Sequence, residues 1–163
     1  MVPRRQPTLI TPNLRRVLRR RFELDATGIH GPPHWARVRA NGLIIAERTG
    51  ASADVVELFA YIHDSCRQNE YSDRGHGGRS ADYVAELRAS VVKIADEQAQ
   101  LLIFACRHHS DGMTDADITV QACWDADRLD LGRVGIRPHP DRLCTAAARD
   151  FELLDWAYQR SLR

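Results

Sequence analysis

Five of the chain's seven histidines sit where they could do metal chemistry. His34 falls at the start of a helical stretch, just after two prolines. His63 and Asp64 are adjacent at the end of the run VVELFAYIHD, the most apolar helical pattern in the chain. His108 and His109 are adjacent at the end of another helical pattern, and His76 lies in a glycine-rich segment. Asp125 follows Trp124 among apolar neighbours. Imidazole nitrogen and carboxylate oxygen together suit Mn, Fe, Co, Ni or Zn. Groups at helix ends, remote in sequence, can converge on one point of a bundle. A carboxylate ending a buried run must be paired or bound to metal, because an isolated buried charge costs too much. A hydrogen-bonded His63–Asp64 pair closing its helix would meet that demand without metal. In the same way His76 could be an exposed loop histidine, and His108 or His109 a cap at a helix C-terminus.

The elements that must position these groups read as helices. Asn13–Phe22 is a short basic amphipathic stretch with Leu14, Val17, Leu18 and Phe22 on one stripe. A shaped loop, Gly28–Pro33, leads into a helix over about His34–Thr49 that closes at Gly50. Ser52 is the N-cap expected for Ala53–Asp64. Asn69–Gly78 is polar and glycine-rich, hence a loop. Helices follow near Ser80–Ala89, Asp96–His109, Ala116–Leu131 and Asp141–Ser161. No segment alternates as a strand would, and no internal repeat is present. The expectation is an all-α, single-domain helical bundle over 13–163. Residues 1–12, broken by Pro3, Pro7 and Pro12, are expected to form a frayed, flexible N-terminal arm.

The chain has 163 residues, 44% hydrophobic and 28% charged, the balance of an ordinary globular domain. Its longest apolar run, Leu101–Cys106, is far short of the ~20 residues that cross a bilayer. The N-terminus has no apolar core of an export signal. Cys66, Cys106, Cys123 and Cys144 form no CxxC pair, and they read as reduced thiols of a cytoplasmic protein. The net charge is +1, which argues against binding nucleic acid through bulk electrostatics, although seven arginines precede the first acid, Glu23. Of the 23 basic residues only Lys93 is lysine.

The order His34 … His63-Asp64 … Asp125, with about 30 residues between the first histidine and the HD pair, resembles the H…HD…D signature of the HD-domain metal-dependent phosphohydrolases. GIHGPPHWARV, LFAYIHDSCR, HGGRSA and WDADRLDLGR look like segments of small bacterial members of that all-helical superfamily. The likeness runs from about His30 to Arg149. It implies that His34, His63, Asp64 and Asp125 hold a first divalent metal. Asp64 would bridge to a second, completed by His76 and by His109 or His108, with His109 preferred as the residue nearer the helix end. One or two ions of Mn, Fe, Co, Ni or Zn, or Mg, are expected per chain, and His63 and Asp64 become the catalytic pair.

Such a centre lowers the pKa of its water toward ~7 and directs it at phosphorus. The substrate would be a small phosphorylated molecule, a nucleotide among the candidates. Arg67 and Arg79 could hold its phosphate bidentately, and His30 could face the substrate. Asp127 and Asp130, flanking Arg128, read as a solvated or helix-stabilising pair. The same ligand pattern serves di-iron oxygenases related to myo-inositol oxygenase. A non-catalytic HD-fold binding module is the remaining alternative. The C-terminal helix, with Leu153, Trp156 and Tyr158, could supply a homodimer surface.

Overall fold

The structure, a computed structural model, describes residues 8–163. Among these residues there are eight α-helices, two 3-10 turns and no strand. Helix α1 (Pro12–Arg21) starts behind Thr11, whose side chain accepts the Leu14 N–H. It buries Leu14 and Leu18 and turns its arginines outward. Helix α2 (Pro32–Thr49) opens on two prolines, whose fixed φ suits a first turn, and ends at Gly50 in the left-handed region. Helix α3 (Ala53–Ile62), capped by Ser52, buries seven of its ten residues. It is the central strut: α2, α5 and α6 all pack on it, while α4 packs on α5. The remaining helices are α4 (His76–Ser90), α5 (Asp96–His108), α6 (Ile118–Arg128), α7 (Ala146–Arg149) and α8 (Phe151–Ser161). The 3-10 turns are Leu131–Val134 and Pro140–Arg142.

Two glycines set how closely the helices approach. A Cβ on Gly42 would lie 2.3 Å from Val56 Cγ1 and 3.2 Å from Ala126 Cβ. Only a residue without a side chain lets α2 meet α3 and α6 at that distance. A Cβ on Gly77 would lie 2.7 Å from the Cys106 carbonyl oxygen, so the start of α4 rests directly on the end of α5.

Three expectations are corrected. The glycine-rich segment through Gly78 is not wholly loop, since α4 already begins at His76. The single helix expected over Asp141–Ser161 is broken twice, into a 3-10 turn and two helices. Thr145 caps α7 by accepting the Ala148 N–H, and Asp150 caps α8 by accepting the Leu153 N–H. These capping side chains divert the backbone from one continuous ladder. The expected arm, 1–12, lies outside the described residues through position 7. Its described remainder is packed: Ile10 is buried, and the Thr8 hydroxyl donates to the Glu57 carboxylate at 3.0 Å. Among the described residues, no helix is long and apolar enough to cross a membrane.

Candidate metal centre

Four histidines and two aspartates from five helix ends meet inside the bundle. His34 enters from the first turn of α2, His63 and Asp64 follow α3, and His76 begins α4. His109 ends α5, and Asp127 lies in the last turn of α6. His34 and His63 are wholly buried; His76, His109 and Asp64 are nearly so.

Each imidazole is oriented through Nδ1. His63 Nδ1 donates to the Phe59 carbonyl at 3.0 Å, and His109 Nδ1 donates to the Cys106 carbonyl at 2.7 Å. His76 Nδ1 donates to the Asp73 carbonyl. His34 Nδ1 donates to Asp130 Oδ2 at 2.7 Å, and Asp130 is itself held by Arg37 Nε at 2.7 Å and Nη2 at 3.0 Å. A carbonyl oxygen only accepts, so the proton sits on Nδ1 and a neutral ring presents a lone pair at Nε2. The Nε2 atoms nevertheless face each other in pairs, His34 to His63 at 3.1 Å and His76 to His109 at 2.8 Å. Two lone pairs at that separation repel unless a proton or a metal ion lies between them.

Asp64 joins the two pairs. Its Oδ2 lies 3.4 Å from His34 Nε2 and 3.5 Å from His63 Nε2. Its Oδ1 lies 3.3 Å from His76 Nε2 and 3.6 Å from His109 Nε2. Donor atoms bound ~2.1 Å from one metal stand about 3.0 Å apart at right angles and about 3.4 Å apart at tetrahedral angles. The observed separations, 2.8 to 3.6 Å, lie within about 0.2 Å of that range on both sides of the carboxylate. Three overlapping groups of this cluster, including His34–His63–Asp64 and Asp64–His76–His109, could hold a metal ion.

Asp127 completes the first side. Its Oδ1 is buried without a hydrogen-bond donor, 3.3 Å from His34 Nε2 and 3.6 Å from His63 Nε2. A buried carboxylate oxygen without a donor is a group in need of a cation. Burial alone would raise the Asp127 pKa, but the facing His34 and His63 rings and Arg133 hold it well below the usual carboxylate range. Asp64 behaves alike. Burial pushes its pKa up, yet the His63 charge and the contacts of His109, His34 and His76 drive it well down. For His34, burial and Arg133 push downward, but Asp127, Asp130 and Asp64 together lift the pKa to about 9.

Asp125, expected as the fourth ligand, is not in the cluster. It accepts from Cys144 N at 2.7 Å, Thr145 N at 2.8 Å and Thr145 Oγ1 at 2.8 Å, and so fastens the segment between the second 3-10 turn and α7. The two aspartates are separated by one residue on a helix buried on nearly every side. Burial therefore gave no means of choosing between them. Asp127 and Asp130, expected on a solvated face, both serve the centre instead. Their i, i+3 spacing with Arg133 three residues further on was the available signal.

His109 reaches the cluster, whereas His108 is partly exposed and paired with Asp111 at 2.6 Å. Arg67 lies against the His76 ring, with Nη1 at 3.2 Å from Nε2 and 3.8 Å from Asp64 Oδ1, and donates to the Asn69 and Tyr71 carbonyls. Arg79 is turned to the Cys66 carbonyl and Asp73, so it ties a loop and does not reach the cluster. His30 Nδ1 meets Glu70 Oε2 at 2.6 Å, with its ring centroid 6.4 Å from that of His34. Arg133, not singled out by the sequence, places Nη2 3.7 Å from Asp127 Oδ1. The chain matches no protein-family model, no curated protein and no solved structure.

Proposed function

We propose that the protein is a metal-dependent phosphohydrolase of the HD-domain type, acting on a small phosphoester. The observation that carries the reading is the Asp64 carboxylate, with one oxygen on each of two imidazole pairs. His34, His63, Asp64 and Asp127 would hold one divalent ion, and Asp64, His76 and His109 a second. Two such ions, when bound, supply Lewis acidity and make water a competent nucleophile near neutral pH, the chemistry that phosphoester cleavage needs.

The chain's own residues do the orienting. The four Nδ1 hydrogen bonds fix each ring before any ion arrives, so little reorganisation accompanies binding. Arg37 and His34 occupy both Asp130 oxygens, which keeps the His34 ring aimed inward. Arg133, 9% exposed at its side chain and beside Asp127, supplies positive charge where a phosphoryl oxygen would approach. The net effect is a site built to bind cations and the anions they attract.

The test is hydrolysis of p-nitrophenyl phosphate by metal-free protein reconstituted with Mn. Activity is expected to require Mn and to fall at least ~100-fold in Asp64→Ala, which removes the ligand common to both ions. Full Mn-dependent activity in that variant would overturn the proposal. Iron-dependent oxygen consumption without phosphatase activity would move the centre to oxygenase chemistry.

A further inference from the structure

A cavity of about 250 Å³ opens beside the metal centre, between the loop ahead of α2, the 3-10 turn at Leu131–Val134 and the end of α8. Arg37, Arg133 and Arg163 line it together with Ile29, Gly132 and Leu162. Arg133 is fixed as a wall: Nε donates to the Ile29 carbonyl at 2.9 Å, and Nη1 donates to the Asp130 carbonyl at 3.1 Å. Arg37 uses Nε and Nη2 on Asp130, while its Nη1 makes no hydrogen bond among the described residues. Arg163 has no carboxylate within salt-bridge distance among the described residues, and it is exposed.

A fourth guanidinium, outside the cavity's lining, is near enough to Arg37 and Arg163 to feel their charge. Arg160 lies over the Trp156 ring at 4.3 Å, and its Nη1 is buried without a hydrogen-bond partner. Burial first, and then repulsion from Arg37 and Arg163 against the pull of Asp130, lowers its pKa. Two carboxylates reach this wall from below: Asp130, which is fully buried and already shared by Arg37 and His34, and Asp127, whose Oδ1 lies 3.7 Å from Arg133 Nη2, against four guanidiniums. Positive charge is therefore in excess, and donors are left over.

We propose that this cavity is a binding site, distinct from the metal ligands, for the phosphate group of a small phosphorylated molecule. Converging guanidiniums recognise a tetrahedral dianion through charge-assisted hydrogen bonds better than they recognise a neutral ligand. The volume is just below the usual 300–1,000 Å³ of ligand sites, which restricts the occupant to a phosphate with a compact organic part. The site does not rest on the hydrolase reading, because the cavity's donors are present whether or not an ion is bound.

The test is titration of the metal-free full chain with inorganic phosphate, followed by amide chemical shifts at constant ionic strength. Without metal, phosphate has no ion to coordinate, so this result is separable from the fate of the hydrolase proposal. Saturable shifts are expected at Ile29, Gly132 and Leu162. The midpoint should move at least ~10-fold higher in Arg163→Glu, which alters an exposed side chain, and also in Arg160→Ala. Absence of saturable shifts at those amides would overturn the proposal, as would unchanged midpoints in both variants.

Discussion

The division of labour between Asp125 and Asp127 turns on which lone pairs are already spent. Asp125 accepts three hydrogen bonds from Cys144 and Thr145, whereas Asp127 Oδ1 accepts none. On the proposed two-ion reading, Asp127→Ala should therefore lower Mn stoichiometry from two per chain to one, with modest loss of stability. Asp125→Asn should do the opposite. Its amide nitrogen would face the Cys144 or Thr145 N–H, leaving buried donors unpaired at a cost of about 1–3 kcal/mol. Stoichiometry should stay at two. Elemental analysis and urea denaturation of the two variants read both halves of the contrast. If Asp125→Asn lost metal while Asp127→Ala kept it, the assignment of the fourth ligand would be reversed. His34, His63, Asp64 and His109 were legible in the sequence because residue type and helix-end position nominate them, whereas His76, expected in a loop, was nominated only by the family resemblance. The choice of Asp127 was not legible, because it depends on where the chain after α6 doubles back to satisfy Asp125.

At the scale of helices, the centre exists because α2, α3 and α6 touch. His34, His63 and Asp127 come from these three elements, and Gly42 lies where they cross. Gly42→Ala would place a methyl group 2.3 Å from Val56 Cγ1, an overpacking expected to cost about 1–3 kcal/mol. Val56→Ala alone should also destabilise, by leaving a void in a fully buried position. The double variant should be more stable than the two separate losses predict, since the new methyl enters the space the valine leaves. Additive losses in denaturation would show that the crossing is not set by this contact. Helical periodicity and caps made the existence and order of the elements readable. They did not reveal that Gly77 is helical, because a glycine chosen for close approach to the Cys106 carbonyl looks the same in sequence as a glycine chosen for a turn. Nor did periodicity foresee the breaks before α8, where Thr145 and Asp150 act as caps within an otherwise helix-favouring stretch.

For the molecule as a whole, burial of titratable groups makes stability depend on pH in two separable windows. In metal-free protein the His34 pKa is raised to about 9, above the ~6.5 of an unfolded histidine. Its stabilising contribution is full below ~6.5 and is lost as pH rises toward 9, since the folded state alone keeps the proton in between. Saturation with Mn, which requires a neutral ring, should flatten stability between pH 6.5 and 8.5. The thiols act higher. Burial, with added repulsion from Cys66 and Asp64, raises Cys106; burial and Cys106 raise Cys123. Burial and Asp125 push Cys144 up to about 12. Unfolded thiols titrate near 8.5, so above that pH the unfolded chain releases protons the folded chain retains, and unfolding is favoured. Cys106 and Cys123, both fully buried, together give a fall of about 2.7 kcal/mol per pH unit. The window is unusually clean because arginine does not titrate there and Lys93 is the one lysine. Urea denaturation of Mn-saturated, reduced protein from pH 6.5 to 9.5 should show a plateau followed by a decline. In Cys123→Ala the slope of that decline should shrink by about 1.4 kcal/mol per pH unit, whatever the packing loss does to absolute stability. An unchanged slope would mean that the Cys123 thiol ionises as readily in the folded chain as in the unfolded one, which its position in the core does not allow.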